Sequence, residues 1–188
     1  MNIAVFGLPR SGTTWIGKII DSHPSTLYLH EPDYAIRLPC VPYIAEVDDA
    51  EVWRPFIEQW IDQVFSNGSK RMIGKQPMFP KGYYRSRKQR IFDAGWRTRV
   101  FLAAAEEKLR GRERVMKLPV HLRCAPVKVW KTVESLGRLG VFLEVLSDTH
   151  FIHVVRHPCG FVDSVLRGDR GHHFQKSVAM SQDMGLMK

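Results

Sequence analysis

The sequence predicts an α/β protein in which a central parallel sheet carries helices on both faces. One observation is an apolar run at residues 2–7 that leads through a short glycine-containing loop into an amphipathic segment. Two further apolar runs, at 127–131 and 150–156, are separated by apolar residues at helical spacing. Strand, helix and strand in this order predict a βαβ unit, whose strands are parallel and whose connection is right-handed. We expect all three runs to lie in one buried sheet.

The segment after the first strand predicts a helix whose amino end faces the loop. Its apolar residues recur on one face of a 3.6-residue helix: Trp15, Ile16, Ile19 and Ile20. Unpaired N–H groups and the positive end of the dipole at a helix N-terminus favour a phosphate or a similar oxyanion. The loop from Gly7 to Gly12 therefore predicts an anion site.

The loop has the glycine spacing of the nucleotide-binding P-loop but not its lysine. Gly7 and Gly12 are separated by four residues, as in that motif. Thr13 stands where the motif carries lysine, and only Thr14 fits its closing hydroxyl residue. Arg10 supplies a cation instead, and its planar guanidinium can contact an anion through two hydrogen bonds. The pattern therefore argues against a Walker A site.

The stretch Pro-Arg-Ser-Gly-Thr-Thr-Trp at 9–15 resembles the 5′-phosphosulfate loop of sulfotransferases that use 3′-phosphoadenosine 5′-phosphosulfate (PAPS). The resemblance implies a P-loop-type, three-layer α/β/α fold. It also implies that the loop residues bind the donor: Arg10, Ser11, Gly12, Thr13, Thr14 and Trp15. The alternative is a glycine-rich turn from strand to helix that holds no ligand.

A second anion motif follows the last apolar run. Arg156 ends that run, and Pro158 suits the first turn of a helix. Its expected buried residues are Phe161, Val162, Val165 and Leu166. Ser164 lies in the second turn, where its hydroxyl can converge with Arg156 on one phosphate. The stretch from 155 to 164 is similar to the 3′-phosphate motif of the same family, which implies that Arg156 and Ser164 bind the 3′-phosphate of PAPS.

A short run at 26–29 predicts a second strand that brings His30 and Glu31 to the carboxyl edge of the sheet, where ligands of such folds gather. Sulfuryl transfer requires that the acceptor hydroxyl lose its proton. His-Glu-Pro resembles the Glu-Pro of carbohydrate sulfotransferases, which implies Glu31 as the base and His30 as a second candidate. A structural role for Glu31, in pairing with Arg10 or in capping a loop, is an equal alternative.

Lys131 ends the strand at 127–131, where relatives commonly carry a lysine near the leaving group. The resemblance implies that Lys131 and Arg10 absorb the charge that develops there. An ordinary exposed lysine at a strand end is the alternative. Many cytosolic sulfotransferases place a histidine just after this lysine, whereas here Thr132 and Val133 follow.

Composition sets the remaining limits. The 188 residues, 44% of them hydrophobic, suit one domain over 1–188, and the net charge of +9 is compatible with an anionic ligand. We expect no nucleic-acid partner, because zinc-finger, RRM and KH signatures are missing. No apolar run is long enough for a transmembrane segment and no leader is visible, so a cytoplasmic location is expected. Three cysteines without Cys-x-x-Cys spacing argue against disulfides and metal sites, and we expect them to be buried.

The middle of the chain is less informative. It predicts a loop at 33–47, helices at 48–65 and 99–110, and a short strand at 114–117. Residues 75–99 hold eight basic residues and one acidic residue. This basic segment is either a solvated insertion or a mobile flap over an anionic ligand.

The sequence therefore predicts a sulfotransferase that moves a sulfuryl group from PAPS to a hydroxyl or amine acceptor, such as a carbohydrate, without a metal. The motifs are most similar in style to those of carbohydrate-type and bacterial members, which usually continue well past the 3′-phosphate helix. We therefore expect that the usual C-terminal portion is lacking. The alternatives are a P-loop nucleotide kinase or NTPase, and a relative that binds the nucleotide or another anion without catalysis.

Overall fold

A computed structural model of the chain describes residues 1–79, 81, 94–96, 98–102, 105–106 and 114–170. The chain divides into two compact units, Met1–Val154 and a second that begins at Val155. The strands are β1 (Asn2–Gly7), β2 (Thr26–His30), β3 (Asn67–Gly68), β4 (Met116–Lys117), β5 (Val127–Thr132) and β6 (Thr149–Val154). The helices with assigned bounds are α1 (Thr13–Ile20), α2 (Pro32–Ala35), α3 (Ala50–Ser66), α4 (Lys70–Ile73), α5 (Val120–Arg123), α6 (Leu139–Val145) and α7 (Pro158–Arg170).

The main sheet of the described residues has the strand order β2-β5-β1-β6, and every neighbouring pair is parallel. β1 lies between the two strands of the predicted βαβ unit, with Ile3 opposite both Val129 and His150. The predicted parallel sheet is therefore confirmed. The strand predicted at 114–117 is β4, and it pairs antiparallel with β3 outside this sheet.

Helices cover both faces of the sheet in the first unit. Side chains alternate along a strand, so Ala4 and Phe6 face one side of β1 and Val5 faces the other. The larger cluster, on the side of Phe6, includes residues from α3 and α6. The smaller cluster contains Val5 and packs against Ile16 and Ile20 of α1. Helix, sheet and helix form the predicted three-layer α/β/α arrangement.

Aromatic rings fix β5 between these layers. The ring of Trp130, which is fully buried, lies edge-on to Phe6, Trp60 and Phe142 at centroid distances of 5.2, 5.4 and 5.6 Å. Edge-to-face pairs of this kind add specific geometry to the burial of apolar area. The packing anchors the strand that ends in Lys131 and Thr132.

The buried face of α1 matches the predicted one only in part, since Ile16 and Ile20 pack against the smaller cluster as expected. Thr13 and Gly17 are its buried residues, whereas Trp15 is 58% exposed. Gly17 permits close packing on β2, since a Cβ at this position would lie 2.5 Å from the ring of Tyr28. The helix is therefore turned so that its smallest residue, and not Trp15, faces the sheet.

Other predictions about burial are corrected in the same way. His153, expected in the core, is exposed because it lies near the end of β6, an edge strand of the described sheet. The three cysteines, expected to be buried, are exposed: Cys40, Cys124 and Cys159. On α7, Val162 and Leu166 are exposed, and the less exposed face centres on Ser164. In each case the residue type favours burial, but the orientation of the element decides.

Predicted element bounds agree well elsewhere. α3 matches the helix predicted at 48–65, although Val52 and Phe56 of its expected apolar stripe are exposed. The loop predicted at 33–47 contains most of α2. Residues 99–102 and 105–106 are helical as predicted, and the rest of 99–110 lies outside the described residues. Within the described part of the chain, no helix is both long and apolar enough to cross a membrane.

Candidate functional site

The loop between β1 and α1 folds tightly onto the sheet. The N–H of Ser11 donates to the carbonyl of Leu8 at 3.1 Å. Gly12 has a φ of 98°, which glycine adopts without strain, and Arg10 has a φ of 69°, which costs free energy for a residue with a Cβ. A Cβ on Gly7 would lie 2.6 Å from the carbonyl oxygen of Val154. The glycines therefore permit a turn that places the amino end of α1 against the end of β1.

The loop presents a buried hydroxyl that fits an anion site. Ser11 Oγ is buried and has no hydrogen-bond partner among the described residues. Gly12 is the N-cap residue of α1, and no side chain caps this end of the helix. Its N–H groups and the Ser11 hydroxyl are donors of the kind that bind phosphate or sulfate oxygens. The residues of the predicted 5′-phosphosulfate loop therefore have donor groups suited to that ligand.

Glu31 lies at the centre of an ion-pair cluster at the carboxyl edge of the sheet. Lys131 Nζ donates to Glu31 Oε1 at 2.6 Å. Arg71 donates to Glu31 Oε2 through Nη2 at 2.6 Å and Nε at 3.2 Å. The pairing of β2 with β5 brings these groups together, because His30 lies directly opposite Lys131. The sequence analysis considered an ion pair between Glu31 and Arg10. Glu31 does pair with cations, and the observed partners are Lys131 and Arg71.

The electrostatics of this cluster keep the carboxylate ionised. Burial alone would raise the pKa of Glu31, but Lys131 and Arg71 outweigh burial and lower the pKa to about 2. Burial lowers the pKa of Lys131, and the neighbouring Glu31 carboxylate partly offsets this effect. A carboxylate held in this way accepts a proton poorly while both ion pairs are in place.

His30 is held in its neutral form next to this cluster. Burial, and then the cations Lys131, Lys75 and Arg71, lower the pKa of His30 to about 4 against the opposing charge of Glu31. Its Nδ1 is 3.0 Å from the hydroxyl of Tyr28, and its Nε2 is 3.7 Å from Glu31 Oε2. Burial and the nearby Glu31 raise the pKa of Tyr28. The Tyr28 and His30 side chains are therefore uncharged at neutral pH, and His30 lies between Tyr28 and Glu31.

Arg71 is a site residue that the sequence did not reveal. It lies on the short helix α4, and its guanidinium carbon is 3.6 Å from the centroid of the Tyr34 ring. This cation–π contact with Tyr34 helps to orient the Arg71 guanidinium toward Glu31. No local pattern links Arg71 to Glu31, which is 40 residues earlier in the chain. Only the packing of α4 on β2 brings the two residues together.

A second polar cluster lies beside the first one. Asp33 is buried and accepts hydrogen bonds from the hydroxyls of Thr132 and Ser135. Burial raises the pKa of Asp33 even though both hydroxyls oppose it. Arg138 donates to Ser135 Oγ at 3.4 Å and to the carbonyl of Leu38 at 3.0 Å. This hydroxyl cluster therefore fixes the turn that follows β5.

The second unit contains both residues of the predicted 3′-phosphate motif. The Arg156 side chain lies over the first turn of α7, since a Cβ on Gly160 would be 3.1 Å from Arg156 Nε. Ser164 is in the second turn of α7 and is 5% exposed. The close approach at Gly160 explains why a small residue suits this position.

Met78, Phe79 and Lys81 of the basic segment contact the carboxyl end of α1 or the turn that follows it. Lys81 Nζ donates to Asp21 Oδ1 at 2.6 Å and to the carbonyl of Thr26 at 2.8 Å, and both charged side chains are 9% exposed. The N–H of Met78 donates to the carbonyl of Lys18 at 3.0 Å. These residues contact the carboxyl end of α1, the end remote from the loop. Most of the remaining segment up to residue 93 lies outside the described residues.

Comparison with known proteins gives one match. The family model described as Sulfotransferase family matches residues 2–185 of the chain. No curated protein and no solved structure matches the chain. Among the residues that the structure describes, no group of three or more histidine, cysteine, aspartate or glutamate side chains is arranged to hold a metal ion.

Proposed function

Because the chain belongs to the sulfotransferase family, we propose that it transfers a sulfuryl group from PAPS to a hydroxyl or amine acceptor, with carbohydrates as the first acceptor class to test. The observation that carries this proposal is the position of Lys131. It lies opposite Val5 on β1, the strand that leads directly into the anion loop. A buried cation beside the strand that enters the proposed donor loop is suited to stabilising an oxyanion leaving group.

The residues of the first unit have distinct proposed roles. The loop from Arg10 to Trp15 binds the 5′-phosphosulfate of the donor. Arg10 and Lys131 stabilise the charge on the bridging oxygen as the adenosine phosphate leaves. Glu31 contributes to the same step through its contact with Lys131. In the second unit, Arg156 and Ser164 bind the 3′-phosphate.

Calorimetry with adenosine 3′,5′-bisphosphate tests donor binding. We expect this nucleotide to bind at least 10-fold more tightly than ATP, and Arg156→Ala to weaken it by a further 10-fold or more because a charged hydrogen-bond donor is removed. Arg167→Ala is the matched control, since Arg167 lies on α7, the helix that follows Arg156, and pairs with Asp163 at 2.8 Å. Equal affinity for ATP contradicts the proposal and favours a P-loop kinase or NTPase.

Transfer of labelled sulfate from PAPS to a panel of sugars, phenols, amines and lipids tests the reaction itself. Product on any acceptor, with release of adenosine 3′,5′-bisphosphate, supports the proposal. Tight nucleotide binding without transfer to any member of the panel favours a non-catalytic relative.

Glu31→Gln separates two roles of Glu31 on the acceptor that the panel identifies. If Glu31 is the base, as the resemblance predicts, turnover falls by roughly 10²-fold or more and nucleotide affinity changes little. If Glu31 mainly holds Lys131 and Arg71 in place, nucleotide affinity changes together with turnover. Calorimetry on the same variant distinguishes the two results.

A further inference from the structure

Glu134 lies on a rigid turn directly after β5. Thr132, two residues before Glu134, and Ser135, directly after it, both donate to the buried carboxylate of Asp33. The N–H of Ser135 also donates to Thr132 Oγ1 at 3.3 Å. The turn therefore fixes the backbone of Glu134 three residues beyond Lys131, at the carboxyl edge of the sheet.

The carboxyl group of Glu134 differs from that of Glu31 in its partners. Glu31 is 14% exposed and bound to two cations. Glu134 is half-buried and makes no hydrogen bond or ion pair with any other residue in the described ranges. A proton acceptor needs an available lone pair in the ground state. Both oxygens of Glu31 already accept hydrogen bonds from cations, whereas those of Glu134 accept none from the described residues.

Two members of the ion-pair cluster, Glu31 and Arg71, influence the pKa of Glu134. Burial, together with Asp33 and Glu31, raises the pKa of Glu134, while Arg71 and Arg37 oppose this rise. Arg71 is the residue that also binds Glu31, so the two carboxyl groups share one neighbour. A carboxylate with a raised pKa is a stronger base than one with a lowered pKa, and pairs of this kind divide acid and base roles.

We propose that Glu134 is the general base of the transfer reaction and that Glu31 is a positioning residue that holds Lys131 and Arg71. The proposal rests on the proposed function. The acceptor oxygen attacks sulfur, and the bond between sulfur and the bridging oxygen breaks. The acceptor proton passes to the Glu134 carboxylate, and adenosine 3′,5′-bisphosphate leaves with the bridging electron pair. Lys131 faces the charge that develops on that oxygen.

The first test is Glu134→Gln, which keeps the shape of the side chain and removes the basic oxygen. Turnover should fall by roughly 10²-fold or more, while the affinity for adenosine 3′,5′-bisphosphate stays within about 2-fold. Glu144→Gln is the matched control, because Glu144 is exposed on α6, and it should behave as wild type. Unchanged nucleotide affinity also shows that Glu134→Gln folds.

The second test is the pH profile of kcat/KM. The wild-type rate should fall below an apparent pKa higher than that of an ordinary glutamate, as Glu134 becomes protonated. Glu134→Gln should lack this limb, and Glu31→Gln should keep it. Near-normal turnover in Glu134→Gln, on an acceptor that the wild type sulfates, overturns the role of Glu134 and leaves the proposed function intact. Failure of the wild type to transfer sulfate to any acceptor overturns both.

Discussion

Glu31 and Asp33 are two residues apart, but they lie in opposite kinds of environment. Glu31 is paired with Lys131 and Arg71, and these cations lower its pKa to about 2. Asp33 is surrounded by the hydroxyls of Thr132 and Ser135, which only partly offset burial, so its pKa is raised. Cations can outweigh the desolvation of a carboxylate, whereas neutral hydroxyls here do not.

The alternation of side chains along β5 separates the two environments. Lys131 lies opposite Val5 and faces α1, whereas Thr132 lies opposite Phe6 and faces the larger core. Each of these consecutive residues binds one of the two carboxyl groups. One strand end therefore carries both the ion-pair cluster around Glu31 and the hydroxyl cluster that fixes the turn after β5.

Removal of the cation from the charged cluster should have the largest effect. Lys131→Ala should lower turnover by roughly 10²- to 10³-fold, because charge on the leaving group loses its stabilisation. Some loss of affinity for adenosine 3′,5′-bisphosphate should accompany it. Lys128→Ala is the control on the same strand, since Lys128 lies over the ring of Phe65 and not at the site. Turnover within about 3-fold of wild type in Lys131→Ala would place the cationic function elsewhere.

Local patterns in the sequence were sufficient to predict the four strands of the main sheet, the loop after β1 and the end of β5. Alternation and helical spacing involve neighbours in the chain, so the parallel sheet and the position of Lys131 could be predicted. The partners of the two carboxyl groups could not, since Arg71 is 40 residues from Glu31 and Thr132 is 99 residues from Asp33. Such contacts depend on how elements pack, and the same is true of the exposed Trp15.

The acid stability of the protein should report the charged cluster. Because the folded pKa of Glu31 is lowered, its contribution is present above the unfolded pKa of about 4 and is lost as pH falls toward about 2. A pKa shift of this size corresponds to a contribution of Glu31 to the free energy of unfolding on the order of 2–3 kcal/mol. Urea unfolding of wild type and Glu31→Gln between pH 3 and pH 7 measures it. The deficit of Glu31→Gln should shrink as pH falls.

The matched control for this prediction is Glu51→Gln. Glu51 pairs with Arg54 at 2.6 Å on the exposed surface of α3. Exposed ion pairs are screened by solvent, so the variant should follow the wild-type curve closely. A Glu31→Gln deficit that is constant with pH would show that the two cations do not hold the carboxylate ionised.

The hydroxyl cluster should respond to pH in the same direction, but at higher pH and by a smaller amount. Thr132→Val keeps the side-chain shape and removes one donor to Asp33, so it should lower the free energy of unfolding by about 1–2 kcal/mol. The hydroxyl stabilises the ionised form of Asp33 more than the neutral form, because its hydrogen bond lowers that pKa. The deficit should therefore grow as pH rises through the raised pKa of Asp33 in the folded protein. Thr98→Val, whose hydroxyl makes an exposed bond to the carbonyl of Ala94 at 2.9 Å, should show no such pH dependence. A Thr132→Val deficit that shrinks with rising pH would show that the hydroxyl does not favour the ionised form of Asp33.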